Sequence, residues 1–230
     1  MRINKYIAQS GEYSRRQADA LIESGKVLIN GVRAQLGDQV LDGDIIKVNN
    51  KAIDRTMVEP VYLVYHKPVG IICTSDKNAK DTIDEAIKFP TRIFPVGRLD
   101  VGTSGLMLLT NDGSIVNTLL KGENEVEKEY EVVVDQEFPE STAQTMKSGI
   151  FIEGYKTRPA KFVLLTPTKA RITVVEGKNR LIRRLCEACG VQVKTLQRVR
   201  IGDLKLDKLK RGEYYEISKN KLSRLLGVEL

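Results

Sequence analysis

Histidine occurs once and cysteine three times in this 230-residue chain, and neither number supports the chemistry those residues usually carry. A lone His66 rules out a multi-histidine metal centre. Cys73, Cys186 and Cys189 cannot all pair within the chain, which excludes a secreted disulfide scaffold. No run of about 18 apolar residues is present, and the opening Met1-Arg2-Ile3-Asn4-Lys5 lacks the apolar stretch of a signal peptide; the expected location is the cytoplasm, with no membrane partner. Also missing are a Gly-x-Ser-x-Gly elbow, a Gly-x-x-x-x-Gly-Lys-Ser/Thr phosphate loop and a dinucleotide fingerprint, so triad hydrolases and nucleotide-dependent kinases lose their support. Internal repeats and low-complexity tracts are absent too. What remains is a chain with 41% hydrophobic residues, enough for the core of one full domain and a small one.

The formal charge of +7 is unevenly spread. Residues 171–211 hold 12 Lys/Arg against four Asp/Glu, a net +8, whereas residues 1–56 are at +2, residues 57–170 at −3 and residues 212–230 at zero. So focused a basic field favours a polyanion, and with no amphipathic anchor or lipidation signal that polyanion is nucleic acid rather than membrane. The plain alternative is a solvated basic helix face.

The first 50 residues read as two short helices and a small β-piece. Ile3, Tyr6 and Ile7 share a face of the first helix; Ser14, with Gln17 three residues on, opens the second as a capping box, and Ala18, Leu21 and Ile22 turn inward before Gly25. Val27-Leu28-Ile29, the hairpin signal Asn30-Gly31 and Val32-Arg33-Ala34 follow, then turns at Gly37-Asp38 and Gly43-Asp44 and a strand over 45–48. Polar residues 49–59 end at Pro60 and mark a boundary, giving domains at 1–56 and 60–230. The second begins with a strand over 61–65 and has further strand signals over 130–134, 162–165 and 171–175. Helical patterns fall over 82–88, 113–120, 140–148, 179–188 and 219–226. Because strands and helices do not alternate regularly, the expected class is α+β, with a mostly antiparallel sheet flanked by helices.

Two constellations could carry chemistry. Cys186-Glu187-Ala188-Cys189 has the spacing of a zinc or redox pair, but no second ligand pair exists and the cysteines fall near the end of a helix, where no macrodipole lowers a thiol pKa; small buried residues are the expectation. In Phe94-Pro95-Val96-Gly97-Arg98-Leu99-Asp100-Val101-Gly102-Thr103-Ser104-Gly105, glycines bend the backbone around the carboxylate Asp100, and the apolar run Leu106 to Leu109 follows at once. By spacing alone Asp100 is either a nucleophile or base on a Gly-rich loop, or a turn-forming Asp. A metal-dependent nuclease would need clustered carboxylates, and the region offers only Asp100 and Asp112.

Gly97-Arg98-Leu99-Asp100 with Thr103, Gly105-Leu106 and Thr110-Asn111-Asp112-Gly113 resembles the signature of ribosomal RNA pseudouridine synthases of the RsuA/RluB/RluF branch. His66-Lys67-Pro68-Val69-Gly70 looks like that family's Asn-Lys-Pro-x-Gly entry strand, Glu127-Lys128-Glu129-Tyr130 like its Lys/Arg-x-Tyr motif, and Glu176-Gly177-Lys178-Asn179-Arg180-Leu181-Ile182-Arg183-Arg184 like its Gly-x-Asn-Arg-Gln-Ile/Val-Arg-Arg motif. The first 50 residues, with Ser14-Arg15-Arg16, Val27-x-Ile29-Asn30-Gly31 and Gly43-Asp44, resemble the "S four" RNA-binding module. Two departures stand out: His66 in place of Asn, and Leu181 in place of Gln.

The resemblance implies the pseudouridine synthase fold and isomerisation of uridine to pseudouridine in ribosomal RNA by a monomer, with no cofactor or metal. The Lys128-Glu129-Tyr130 form of the motif leans toward large-subunit RNA. It assigns Asp100 to attack on, or electrostatic support of, the sugar's anomeric carbon, Tyr130 to stacking against the extruded uracil and to proton removal, and Arg183 to pairing with the carboxylate. Arg180, Arg184, Lys194, Arg198 and Arg200 are expected to line the RNA groove with Lys67 and Arg98, and Arg15 and Arg16 to serve the N-terminal module. The competing reading, a non-catalytic ribosome-associated RNA-binding protein, expects damage at the carboxylate, aromatic or arginine position, and all three are intact.

Overall fold

The structure is a computed structural model that describes residues 1–53, 58–74, 79–120 and 124–230. The chain divides into two compact units, Met1–Pro60 with Phe89–Arg92, and Val61–Lys88 with Ile93–Leu230. The boundary read from the sequence lies between residues 56 and 60, and residues 54–57 lie outside the described residues. Phe89–Arg92 groups with the first unit, although the sequence places it in the second.

In the first unit, helices α1 (Ile3–Gln9) and α2 (Arg15–Glu23) share a core with strands β1 (Val27–Ile29), β2 (Val32–Arg33), β3 (Ile46–Val48) and β4 (Lys51–Ala52), ordered β2-β1-β3-β4. Ser14 caps α2 as its spacing predicts: the Gln17 N–H donates to Ser14 Oγ at 3.2 Å and the Ser14 N–H to Gln17 Oε1 at 2.8 Å. Asn30 and Gly31 both take positive φ, 51° and 86°, the backbone a tight hairpin requires. The Asn30 side chain adds a second tie, donating to Asp44 at 2.8 Å and accepting from the Ile45 N–H at 2.9 Å. Strand β4 occupies part of the stretch whose polarity reads as linker.

The second unit is built on a nine-stranded sheet. Its elements in chain order are β5 (Tyr62–Lys67), α3 (Ile83–Ala86), β6 (Phe94–Pro95), β7 (Ser104–Thr110), α4 (Ser114–Leu120), β8 (Lys128–Val134), α5 (Thr142–Ser148), a small hairpin β9 (Phe151–Ile152) and β10 (Tyr155–Lys156), β11 (Lys161–Thr166), β12 (Lys169–Val174), α6 (Leu181–Ala188), β13 (Val193–Ile201), β14 (Leu204–Lys205), β15 (Tyr214–Glu216) and α7 (Lys219–Leu226). The strands run β11-β12-β8-β13-β7-β5-β15, with β14 on β13 and β6 on β7. Every pairing is antiparallel except β13 with β7, so the α+β reading with a mostly antiparallel sheet holds.

That one parallel pair joins the two halves of the sheet. Each half has its own apolar cluster: Tyr62, Val64, Leu106, Leu108 and Ile201 with α4 and α7 on one side, and Val132, Val134, Ile172, Leu185 and Leu196 with α5 and α6 on the other. At the junction Gln197 pairs with Ser104 and Arg198 with Gly105. Gly105 has φ +118°, and a Cβ built on it would overlap the backbone N, C and O of Arg198. Only glycine lets the strands close there.

Cross-strand partners share a sheet face. The registers therefore line up one row: Ile172 opposite Tyr130, Tyr130 opposite Arg198, Arg198 opposite Gly105, and Gly105 opposite Lys67. Gly105→Ala should accordingly cost about 2 kcal/mol or more in denaturant unfolding, since a strained backbone alone costs about 1–3 kcal/mol. A loss under about 0.5 kcal/mol, the range of a neutral surface change, would show that the junction can open without penalty.

Candidate active site

Asp100 lies on the loop between β6 and β7, and the loop's shape is set by a buried cation. Lys67, at the end of β5, is 0% exposed, and its ammonium donates to the carbonyls of Pro68 at 2.9 Å, Thr103 at 2.9 Å and Asp100 at 3.3 Å. Three carbonyls satisfy all three of its donors. The Thr103 N–H adds a turn bond to Asp100 O at 3.0 Å, and the Gly70 N–H ties Val101 O at 2.9 Å. The backbone on both sides of the carboxylate is thus fixed while its side chain keeps 32% of its surface open. Desolvation moves the Lys67 pKa below the ordinary lysine value, countered by the negative groups around it.

Arg183 reaches this loop from α6. Its Nη2 donates to Gly102 O at 2.9 Å, its Nη1 to Val193 O at 3.4 Å, and its Nε stands 3.9 Å from Asp100 Oδ2. One guanidinium therefore links α6, the loop and β13, and presents a positive charge beside the carboxylate. Helix α6 is held by Leu181, Ile182, Leu185 and Cys186 in the core shared with Val132 and Ile172, and Tyr130 packs against the same core while remaining partly open. Carboxylate and guanidinium thus stand together, and the aromatic residue packs against the core that holds the guanidinium's helix.

The two departures from the family pattern have local explanations. Leu181 is buried in that core, where an amide would need a partner. His66 is buried and bridges two elements: Nδ1 lies 2.7 Å from Leu209 O and Nε2 3.1 Å from Gln197 Nε2.

Several residues expected to face RNA are otherwise engaged. Lys67 is sealed inside the protein, and Arg198, 6% exposed, donates from Nε to Leu106 O at 2.7 Å. Arg200 pairs with Glu127 at 2.9 Å and Glu129 at 3.3 Å. In a regular strand Arg198 and Arg200 would share a face, but the register shifts between them, so Arg200 lies opposite Glu129 instead. Arg184 pairs with Glu153 at 2.6 Å and donates to Asn179 at 3.2 Å. Arg15, Arg16, Arg98, Arg180 and Lys194 are exposed, Arg15 also donating to Asn4 at 3.3 Å.

Asp112 belongs to the scaffold. It accepts from Tyr62 at 2.8 Å and from the Ser114 N–H and hydroxyl at 2.9 and 2.6 Å, at the start of α4. Burial pushes the Cys186 thiol up to about 12 and keeps it protonated and inert. Sequence reasoning quoted Lys128 only within its motif. Its ammonium, on the Tyr130 face of β8, donates to Val175 O at 3.1 Å, just ahead of the segment leading to α6, and desolvation, with the Arg198 charge nearby, brings its pKa down to about 8.

The family model described as RNA pseudouridylate synthase matches residues 61–188, and that of the S4 domain residues 1–46. The dual-specificity RNA pseudouridine synthase RluF of Escherichia coli (strain K12) is 43% identical over 223 residues, covering 96% of this chain and 77% of that protein. The ribosomal large subunit pseudouridine synthase B of Bacillus subtilis (strain 168) is 40% identical over 233 residues, covering 97% and 95%. A crystal structure of a pseudouridylate synthase superimposes with a TM-score of 0.72 at 31% identity, covering 98% and 99% of the two chains.

Lys128 makes the site's electrostatics measurable. An unfolded lysine keeps its proton to about 10.5 and the folded one to about 8, so between those values the unfolded chain binds more protons and folding stability rises with pH. Lys128→Met should remove that rise from denaturant titrations across the window. Parallel curves for the two proteins would show that the ammonium is solvated.

Proposed function

The chain belongs to the RNA pseudouridylate synthase family and is an isomerase of uridine in RNA; we propose that its target lies in large-subunit ribosomal RNA and that Asp100 is its reacting carboxylate. The relatives from Escherichia coli and Bacillus subtilis bear the names of a dual-specificity and a large-subunit synthase, and the match to them spans both units. The observation that carries the site assignment is the loop itself. Lys67 consumes the backbone carbonyls around Asp100, Arg183 stands beside the carboxylate, and Tyr130 lies in the row that ends at Lys67.

Isomerisation breaks the bond between ribose C1′ and uracil N1, turns the base over and joins C1′ to C5. The C5 proton is lost and one is gained at N1, so product and substrate have the same atoms and no redox partner is consumed. An ionised carboxylate is suited to attack or support the electron-poor carbon during the cleavage. The base must first leave its stack, and the partly open ring of Tyr130 gives it a surface to lie on. Its phenol, within the same row, is the group assigned to remove the proton. Arg183 orients the carboxylate and fixes the loop against α6 and β13. The exposed Arg98, Arg180 and Lys194 are assigned to phosphates, and Arg15 and Arg16 of the S4 module to more distant RNA. On this reading the protein works as a cytoplasmic monomer whose partner is ribosomal RNA.

Asp100→Asn preserves shape and removes the anion. Tritium release from C5-labelled ribosomal RNA should fall below detection, while RNA affinity, supplied by the basic surface, stays within about threefold of wild type. Turnover within about tenfold of wild type would remove Asp100 from the chemistry.

A further inference from the structure

Arg198 has an unfilled valence in an otherwise complete site. Its Nε is bonded to Leu106 O, but Nη2 is buried and has no partner among the described residues. A buried donor without an acceptor is costly, more so when it is charged, so it calls for an explanation. Among the described residues no carboxylate pairs with this guanidinium, and its charge is felt instead by Lys128, a second cation, and by the Cys73 thiol, which receives the Leu99 N–H next to Asp100. Thr103 Oγ1, three residues beyond Asp100, is likewise buried without a partner.

The sheet registers fix where the guanidinium sits. Arg198 follows Tyr130 in the cross-strand row and precedes Gly105 and Lys67, whose ammonium holds the Asp100 backbone. Arg198 is therefore the residue of that row between Tyr130 and the strand that leads from the Asp100 loop. The Nε bond to a strand carbonyl fixes the plane of the fork, so the free N–H has a set direction.

We propose that Arg198 is a catalytic residue that donates from its free Nη2 to a carbonyl oxygen of the extruded uracil. The inference rests on the isomerase reading. When C1′–N1 breaks, the bonding pair stays with the base and spreads from N1 onto the two carbonyl oxygens; the same charge appears on a carbonyl if a carboxylate adds to the ring instead. The pair is returned when the base, turned over, bonds to C1′ through C5 and the C5 proton departs, so nothing external is oxidised or reduced. A fixed cationic donor at that oxygen stabilises the base while it is detached. Nη2 is closed to water in the free protein, and the uracil parts the groups that cover it.

The test uses the full-length protein in single-turnover tritium release, with RNA affinity measured beside it. Arg198→Met should slow release by about 100-fold or more, the usual loss for one preorganised donor, with RNA affinity within about threefold, and Arg198→Lys should recover about tenfold. RNA carrying 2-thiouridine or 4-thiouridine at the target gives the second arm, since sulfur accepts hydrogen bonds poorly. One of the two should slow the wild-type enzyme by about tenfold and leave Arg198→Met no slower than it already is. A rate for Arg198→Met within about threefold of wild type overturns the proposal, as does a loss confined to affinity with a flatter salt dependence, which marks a phosphate contact. If the variants do not fold, the thio-substituted RNAs decide on the wild-type enzyme alone: unchanged rates with both overturn it. A wild-type protein that forms no pseudouridine in any ribosomal RNA would defeat the isomerase reading itself, a separate result.

Discussion

The catalytic unit depends on the close approach of two backbones at Gly105 and Arg198. Two antiparallel blocks, each with its own apolar cluster, become one sheet only through the parallel β7–β13 pair, and a side chain at Gly105 would hold them apart. Closing that seam brings Tyr130 from one block and Lys67 from the other into a single row around Arg198. Lys67 then shapes the Asp100 loop from below through three carbonyls, and Arg183 grips the same loop from α6. The backbone around the carboxylate is held, while its side chain stays partly open.

Much of this is visible in the residues. Asp100 stands out because three glycines surround it and an apolar strand follows; Tyr130 and Arg183 stand out by the resemblance of their motifs. The Ser14 capping box and the Asn30-Gly31 hairpin are local devices, and local devices are what a sequence states most directly. Strand β13 is harder to read. Lys194, Arg198 and Arg200 interrupt its apolar pattern, so the central strand of the sheet resembles a solvated basic stretch. The fate of its two arginines depends on a register shift, which is a property of the pairing and not of either strand alone. Burial of Lys67 is hidden for a related reason: its partners are backbone carbonyls 33 and 36 residues away, and carbonyls leave no mark in a sequence.

The basic segment 171–211 therefore has two uses. Arg183, Arg184, Arg198 and Arg200 turn to the protein, where they bind carbonyls and carboxylates and hold the sheet, the helix and the loop together. Lys178, Arg180, Lys194, Lys205, Lys208, Lys210 and Arg211 stay exposed and give the surface its positive field. A count of charge alone merges the two groups. Structure separates them, and it sets one of the inward arginines, Arg183, beside the carboxylate.

The most direct measurement of the central claim is a pseudouridine map of ribosomal RNA from cells lacking this protein, complemented with either the wild type or Asp100→Asn. The account predicts that at least one large-subunit uridine stays unmodified without the protein, is converted when the wild type is restored, and remains uridine with Asp100→Asn. Identical maps in all three strains, or full conversion by Asp100→Asn, would contradict it.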